Sequence, residues 1–155
     1  MVEFTKRESF TLQIAVYLRA EDYEKAYDLA KAFTAKFPAD FFSHYLLSKS
    51  AFGRKRYEEC ILEGKKSFGN APDPGSMRAA AILVGSGYFA TRQFQKGYDL
   101  LRDAEKQGSD EALEEALFIF SYVLNKPKES VDHLGKLAKL NQGLAIDMAM
   151  RASRA

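Results

Sequence analysis

The chain has 155 residues, 46% of them hydrophobic and 28% charged, and carries a formal net charge of +2. That is the make-up of a globular domain with a sizeable core, and its interspersed charges argue against a nucleic-acid surface. The single cysteine, Cys60, excludes an intramolecular disulfide.

No apolar run approaches the roughly 20 residues that a spanning helix needs. Residues 1–7 carry Glu3, Lys6 and Arg7 and lack the apolar centre of a signal peptide. The expectation is a cytoplasmic protein without a membrane span.

In chain order, the apolar residues recur at helical spacing almost throughout. Residues 9–20 place Phe10, Ile14, Tyr17 and Leu18 on one face, and residues 23–36 do the same with Tyr23, Ala26, Tyr27, Ala30 and Phe33. Helices are then predicted over 42–52 and 57–68, separated by Gly53 to Arg56. The Pro- and Gly-rich stretch 69–75 is the longest break. Helices follow over 76–91 and 94–107. Ser109 is read as the N-cap of a helix reaching Leu124, because a hydroxyl can accept from a first-turn amide. Pro127 sits where a further helix can start, having no amide to lose there. That helix runs to Leu140, and a ninth, over 143–154, is apolar along Leu144, Ala145, Met148 and Ala152.

A period runs through these elements. Tyr23 and Tyr57 each follow a charged turn and lie 34 residues apart, as do Pro38 and Pro72. Phe94 is the next equivalent aromatic, delayed by three residues that the break before it absorbs. Three residues after each aromatic stands a small residue: Ala26, Cys60 and Gly97. Nine before the second and third stand Ser48 and Gly85. Small residues at such points let antiparallel helices approach closely.

This pattern resembles the tetratricopeptide repeat family over about residues 8–141. Arg19-Ala20-Glu21-Asp22-Tyr23-Glu24-Lys25-Ala26 through Pro38 carries it best, and Gly85, Tyr88, Phe94, Gly97 and Ala104 repeat it in the third unit. Ile14, the order of Ala30 and Phe33, and the fourth unit depart from it. There, Lys128 is read at the turn position and Val131 at the small one. The resemblance implies an all-α, right-handed superhelix of antiparallel helix pairs. The chain then reads as one domain, residues 1–155, with units over 8–40, 41–74, 75–109 and 110–141 and a capping helix over 142–155.

The resemblance also implies that the first helix of each unit lines a concave surface. Counting back from each turn position, that surface is apolar and aromatic, with Lys49 its only central charge. Some members of the family clamp carboxylates there with Lys, Asn and Arg. Here Leu12, Leu46, Leu83 and Leu117 stand at those positions and are expected between helices. The candidate partner-binding residues are Phe42, Tyr45, Lys49, Phe52, Ile82, Phe89 and Phe120. Four exposed aromatics would leave about 600 Å² of apolar surface, the upper end for a lone monomer. The alternative is that these rings fill the domain's own core.

The expected function is a protein-interaction module, adaptor or chaperone-like scaffold holding an apolar or amphipathic polypeptide, without catalysis, cofactor or metal. A structural homo-oligomer, joined through the Leu144, Met148 and Ala152 face or through the groove, is the second reading. Chemical motifs give way to simpler explanations. Gly85-Ser86-Gly87-Tyr88-Phe89-Ala90 spells a dinucleotide fingerprint but lies in a helical pattern. Cys60 occupies a small-residue position and reads as buried. His44 could meet it only without an orienting third group. His133 and the pairs Glu58-Glu59 and Glu114-Glu115 read as solvated. Two histidines and one cysteine so widely spaced suggest no metal site.

Overall fold

The computed structural model describes residues 5–154, which form nine α-helices and no strand. They are α1 (Lys6–Arg19), α2 (Tyr23–Lys36), α3 (Phe41–Gly53), α4 (Tyr57–Gly69), α5 (Pro74–Ala90), α6 (Phe94–Glu105), α7 (Glu111–Val123), α8 (Pro127–Leu140) and α9 (Gln142–Ser153). Each packs mainly on its neighbours in sequence, and α1, α3, α5 and α7 also touch in succession. This is the stacked helix-pair superhelix that the 34-residue spacing predicts. No described helix is long and apolar enough to cross a membrane.

The caps explain where helices begin. Thr5 and Glu8 form a reciprocal capping box that starts α1 three residues ahead of the expected Ser9. Asp73 accepts from the Ser76 amide, and Pro74 takes the first helical position, so α5 consumes part of the expected break. Asp110, not Ser109, caps α7 by accepting from the Leu113 amide. Ser109 instead donates to Glu114.

The turn inside every pair has one geometry. Glu21, Lys55, Arg92 and Asn125 all adopt left-handed backbone, with φ between 55 and 61°. The next amide then bonds five residues back: Asp22 to Tyr17, Arg56 to Ala51, Gln93 to Tyr88 and Lys126 to Ser121. This is a Schellman ending, made here without glycine. In each case the left-handed residue stands two before the first residue of the second helix.

That rule corrects the fourth unit. Its turn position is Pro127, not Lys128, and its small residue is Ser130, which is buried, whereas Val131 is 70% exposed. Ala26, Cys60 and Gly97 are likewise buried. A Cβ on Gly97 would collide with the Phe120 ring.

The core runs along the stack. Ile14, Phe33, Val84, Leu101, Leu113, Leu117 and Leu137 are sealed completely. Each such side chain contributes about 2 kcal/mol of transfer free energy. Of the four expected interhelical leucines, Leu46 and Leu117 are buried and Leu83 partly so, but Leu12 is 49% exposed. Leu12 and Val16 lie together on the outward face of α1. At the other end, Leu144, Met148 and Ala152 pack with Phe118, Leu134 and Leu137. They pack on their own stack, Met148 buried and Leu144 and Ala152 partly so.

Candidate functional site

The first helices of units two to four enclose an apolar pocket of about 370 Å³. α3 contributes Phe52, α5 contributes Ile82, Ser86, Phe89 and Ala90, and α7 contributes Ala116, Ile119 and Phe120. Ser86 is the one polar side chain of the lining, and its hydroxyl is spent on the Ile82 carbonyl. Phe89 is the central ring, edge-on to both Phe94 at 5.1 Å and Phe120 at 5.5 Å, and it is 40% exposed. Phe52 is half-buried with its ring against Tyr57. Turn aromatics thus hold the groove rings from behind.

The candidate residues divide into two groups. Phe52, Ile82, Phe89 and Phe120 converge on this pocket. Phe42, Tyr45 and Lys49 lie on the same helix row but outside its lining. Tyr45 stacks on Phe41 at 5.4 Å, and Phe42 meets Phe41 edge-on. The Arg7 guanidinium sits 5.5 Å over the Phe42 ring and is ion-paired with Asp40. Lys49 is exposed and makes no ion pair among the described residues. Phe120 differs from its expected role as an exposed anchor. It is 5% exposed, its ring is pressed on Gly97, and it forms the floor of the pocket. Seven residues before the turn position is where a first helix meets the preceding unit, as Gly87 does against Cys60 and Ile61.

Ile119 and Ala116 also line the pocket, and Ile119 was absent from the candidates. The register slip in unit four hid it. Pro127 as a helix start and Ser130 as the small residue were the signals that would have placed it.

The chemistry-bearing residues sit elsewhere. Cys60 is buried, hydrogen-bonded by Ser48, and burial pushes its thiol pKa up, against the opposing Ser48 bond. His44 does not pair with it. Nδ1 of His44 lies 2.7 Å from Glu63, and Nε2 lies 2.5 Å from the Pro38 carbonyl. The Gly85–Ala90 motif is inside α5, where Gly85 meets Leu101, so it cradles side chains and not a phosphate.

Two solvated assignments are overturned. His133 and Glu114 are both fully buried. Nδ1 of His133 lies 3.0 Å from Glu114 and 3.5 Å from Glu105, and Nε2 lies 2.9 Å from the Tyr98 hydroxyl. Burial, and then the hydrogen bond and charge of Glu114, hold Glu105 above the usual carboxylate range. Burial also opposes ionisation of Glu114, but bonds from His133, Glu105 and Ser109 outweigh it and hold that group below the usual range. The surrounding helices bury these groups because each has a partner.

No family model matches the chain. None of the curated proteins matches it. Among solved structures, the MamA RS-1 double mutant superposes with a TM-score of 0.76 at 17% identity, over 92% of this chain and 79% of that one. TTC0263, a thermophilic TPR protein of Thermus thermophilus, gives 0.75 at 14% identity, over 97% of this chain and 81% of that one. The fold is therefore that of a tetratricopeptide-repeat solenoid.

Proposed function

We propose that the chain is a non-catalytic protein-interaction module, whose α3–α5–α7 groove holds the apolar face of an amphipathic helix or an extended apolar segment. The observation that carries this reading is the apolar pocket with Phe89 at its centre, open to solvent and offering no free hydrogen-bonding side chain. Such a surface recognises area and shape, so it tolerates sequence variation in what it holds. Phe52, Ile82, Phe89 and Ile119 serve as anchors over the Phe120 floor. Phe42 and Tyr45 extend the apolar row, and Lys49 meets an acidic group beside the ligand's apolar stripe. Aromatic anchors suit this task because they bring large area with few rotors to freeze. The neighbouring solenoids, which include a TPR protein, support a scaffold of this general kind.

A photo-cross-linking residue in place of Ser86 tests the reading. It is expected to capture a polypeptide from the native cell, and Phe52→Ala with Phe89→Ala to abolish the capture. The same cross-linker at exposed Leu62 on α4 is the control. Capture at Leu62 alone would move the interaction to the outer surface.

A further inference from the structure

The His–Glu pairing of unit four contains one group more than packing requires. In unit two, His44 and Glu63 stand thirteen residues before and six after the turn position Tyr57. In unit four, Glu114 and His133 stand at the same two places relative to Pro127, with the residues exchanged. The unit-two clamp is made of these two residues, the Pro38 carbonyl and Lys66, whose ammonium lies 3.0 Å from Glu63 Oε1, with no second carboxylate among the described residues. Unit four adds Glu105, from α6 of the preceding unit, with Oε2 3.5 Å from His133 Nδ1. A second carboxylate beside a buried one adds repulsion and is not needed to join α7 to α8.

We propose that Glu105, Glu114 and His133 form a binding site for a divalent transition-metal ion of the zinc class, with water as the fourth ligand. This goes beyond the groove and does not depend on it. The three donor atoms lie within 4.8 Å of one another. The two imidazole-to-carboxylate separations, 3.0 and 3.5 Å, bracket the roughly 3.3 Å edge of a tetrahedron with bonds of about 2.0–2.1 Å. Mixed nitrogen and oxygen donors suit zinc. The Tyr98 hydroxyl on Nε2 holds the ring with Nδ1 turned to both carboxylates, the outer-shell bond such ligands use. Glu105 also lines a solvent-open pocket with Arg102 and Lys136, which supplies an entry path and room for water.

Two cations compete with the ion. Lys136 lies 3.3 Å from Glu105 Oε2, the oxygen that faces His133, and Arg102 lies 3.2 Å from Oε1. Lys136 is 45% exposed and has a second partner, Asp132, at 3.2 Å. An entering ion displaces Lys136 to Asp132.

Titration of the full chain with cobalt(II), followed by zinc(II) competition, tests the site. The expected result is saturation at one equivalent, with the visible bands of four-coordinate cobalt and a zinc-dependent rise in Tm. Glu105→Gln, at a partly exposed position, is expected to keep the helical circular dichroism and weaken binding about tenfold or more. Lys136→Gln is expected to strengthen it, and His44→Ala to leave it unchanged. Absence of saturable binding, or binding that Glu105→Gln leaves intact, overturns the proposal.

Discussion

Glu114 and His133 face each other at 3.0 Å with no solvent access to either, and they invert the His44–Glu63 pairing of the second unit. Removing one member leaves the other buried without its partner. His133→Ala is expected to cost about 3–5 kcal/mol, measured by urea unfolding with a chelator present. The exchange Glu114→His with His133→Glu recreates the order of unit two. It is expected to recover about 1–3 kcal/mol relative to the sum of the single changes. Simple additivity would show that the two do not act as a pair.

Gly97 marks where α6 receives the Phe120 ring. Gly97→Ala is expected to destabilise the chain by about 1–3 kcal/mol through overpacking, although alanine favours helix. Thermal unfolding reads the balance. A rise in Tm would mean that α6 and α7 separate at little cost.

Lys55 is strained by its left-handed backbone, since its Cβ crowds the carbonyl. Lys55→Gly is expected to stabilise the chain by a few tenths to about 1 kcal/mol, while Lys55→Val costs more than about 1. Asn125 already has a side chain that tolerates this conformation, so Asn125→Gly is expected to change stability less. Denaturant midpoints of the three variants check the ranking.

Burial opposes the charge on Asp40. The hydrogen bonds and charge of Arg7, with the amides of Phe42 and Ser43, outweigh burial and hold its carboxyl below the usual range. A group depressed in the folded state contributes stability above its unfolded pKa of about 4 and loses it as pH falls through its folded pKa. Arg7 is 41% exposed, so screening limits the pair to about 1 kcal/mol or less. Arg7→Gln is expected to lower stability at pH 7 by that amount and to converge with the parent once the pH has fallen through the lowered folded pKa of Asp40. An unchanged difference at low pH would assign the loss to packing over Phe42.

Phe52→Ala and Phe89→Ala remove groove surface that is already partly open. Each is expected to cost less than the roughly 3–5 kcal/mol of a sealed ring, yet to weaken a groove ligand tenfold or more. Calorimetry of the ligand, once captured, against unfolding of the free chain separates the two effects.

Much of the stack is legible in its residues. Tyr23, Tyr57, Pro38 and Pro72 set the period, and the small residues after each turn set which faces meet. Unit four slips by one position, because Pro127 reads only as a helix start and the turn position is placed on Lys128, whereas in the structure the two positions coincide at Pro127. That slip moves Phe120 from floor to rim and hides Ile119. The buried clamp is illegible for another reason. A histidine or glutamate on a helix reads as solvated unless its partner is known, and Glu114 and His133 are 19 residues apart on different helices. Exposure of Leu12 is likewise a matter of which helices pack on α1, which local periodicity does not encode.

The four turns share one backbone form, and each closes the same small span of chain. Pairs of helices are therefore interchangeable parts, and the groove is a quantity counted in whole units. A chain with the third pair excised, from Pro74 to Asp110, would bring α7 against α4 in place of α5. Binding would then fall in a step set by how many anchors the shortened row retains, while the flanking turns kept their form. Lengthening the row by one pair would extend its reach by the same increment. Under the proposed reading, the number of stacked pairs sets the length of apolar stripe that the groove can span.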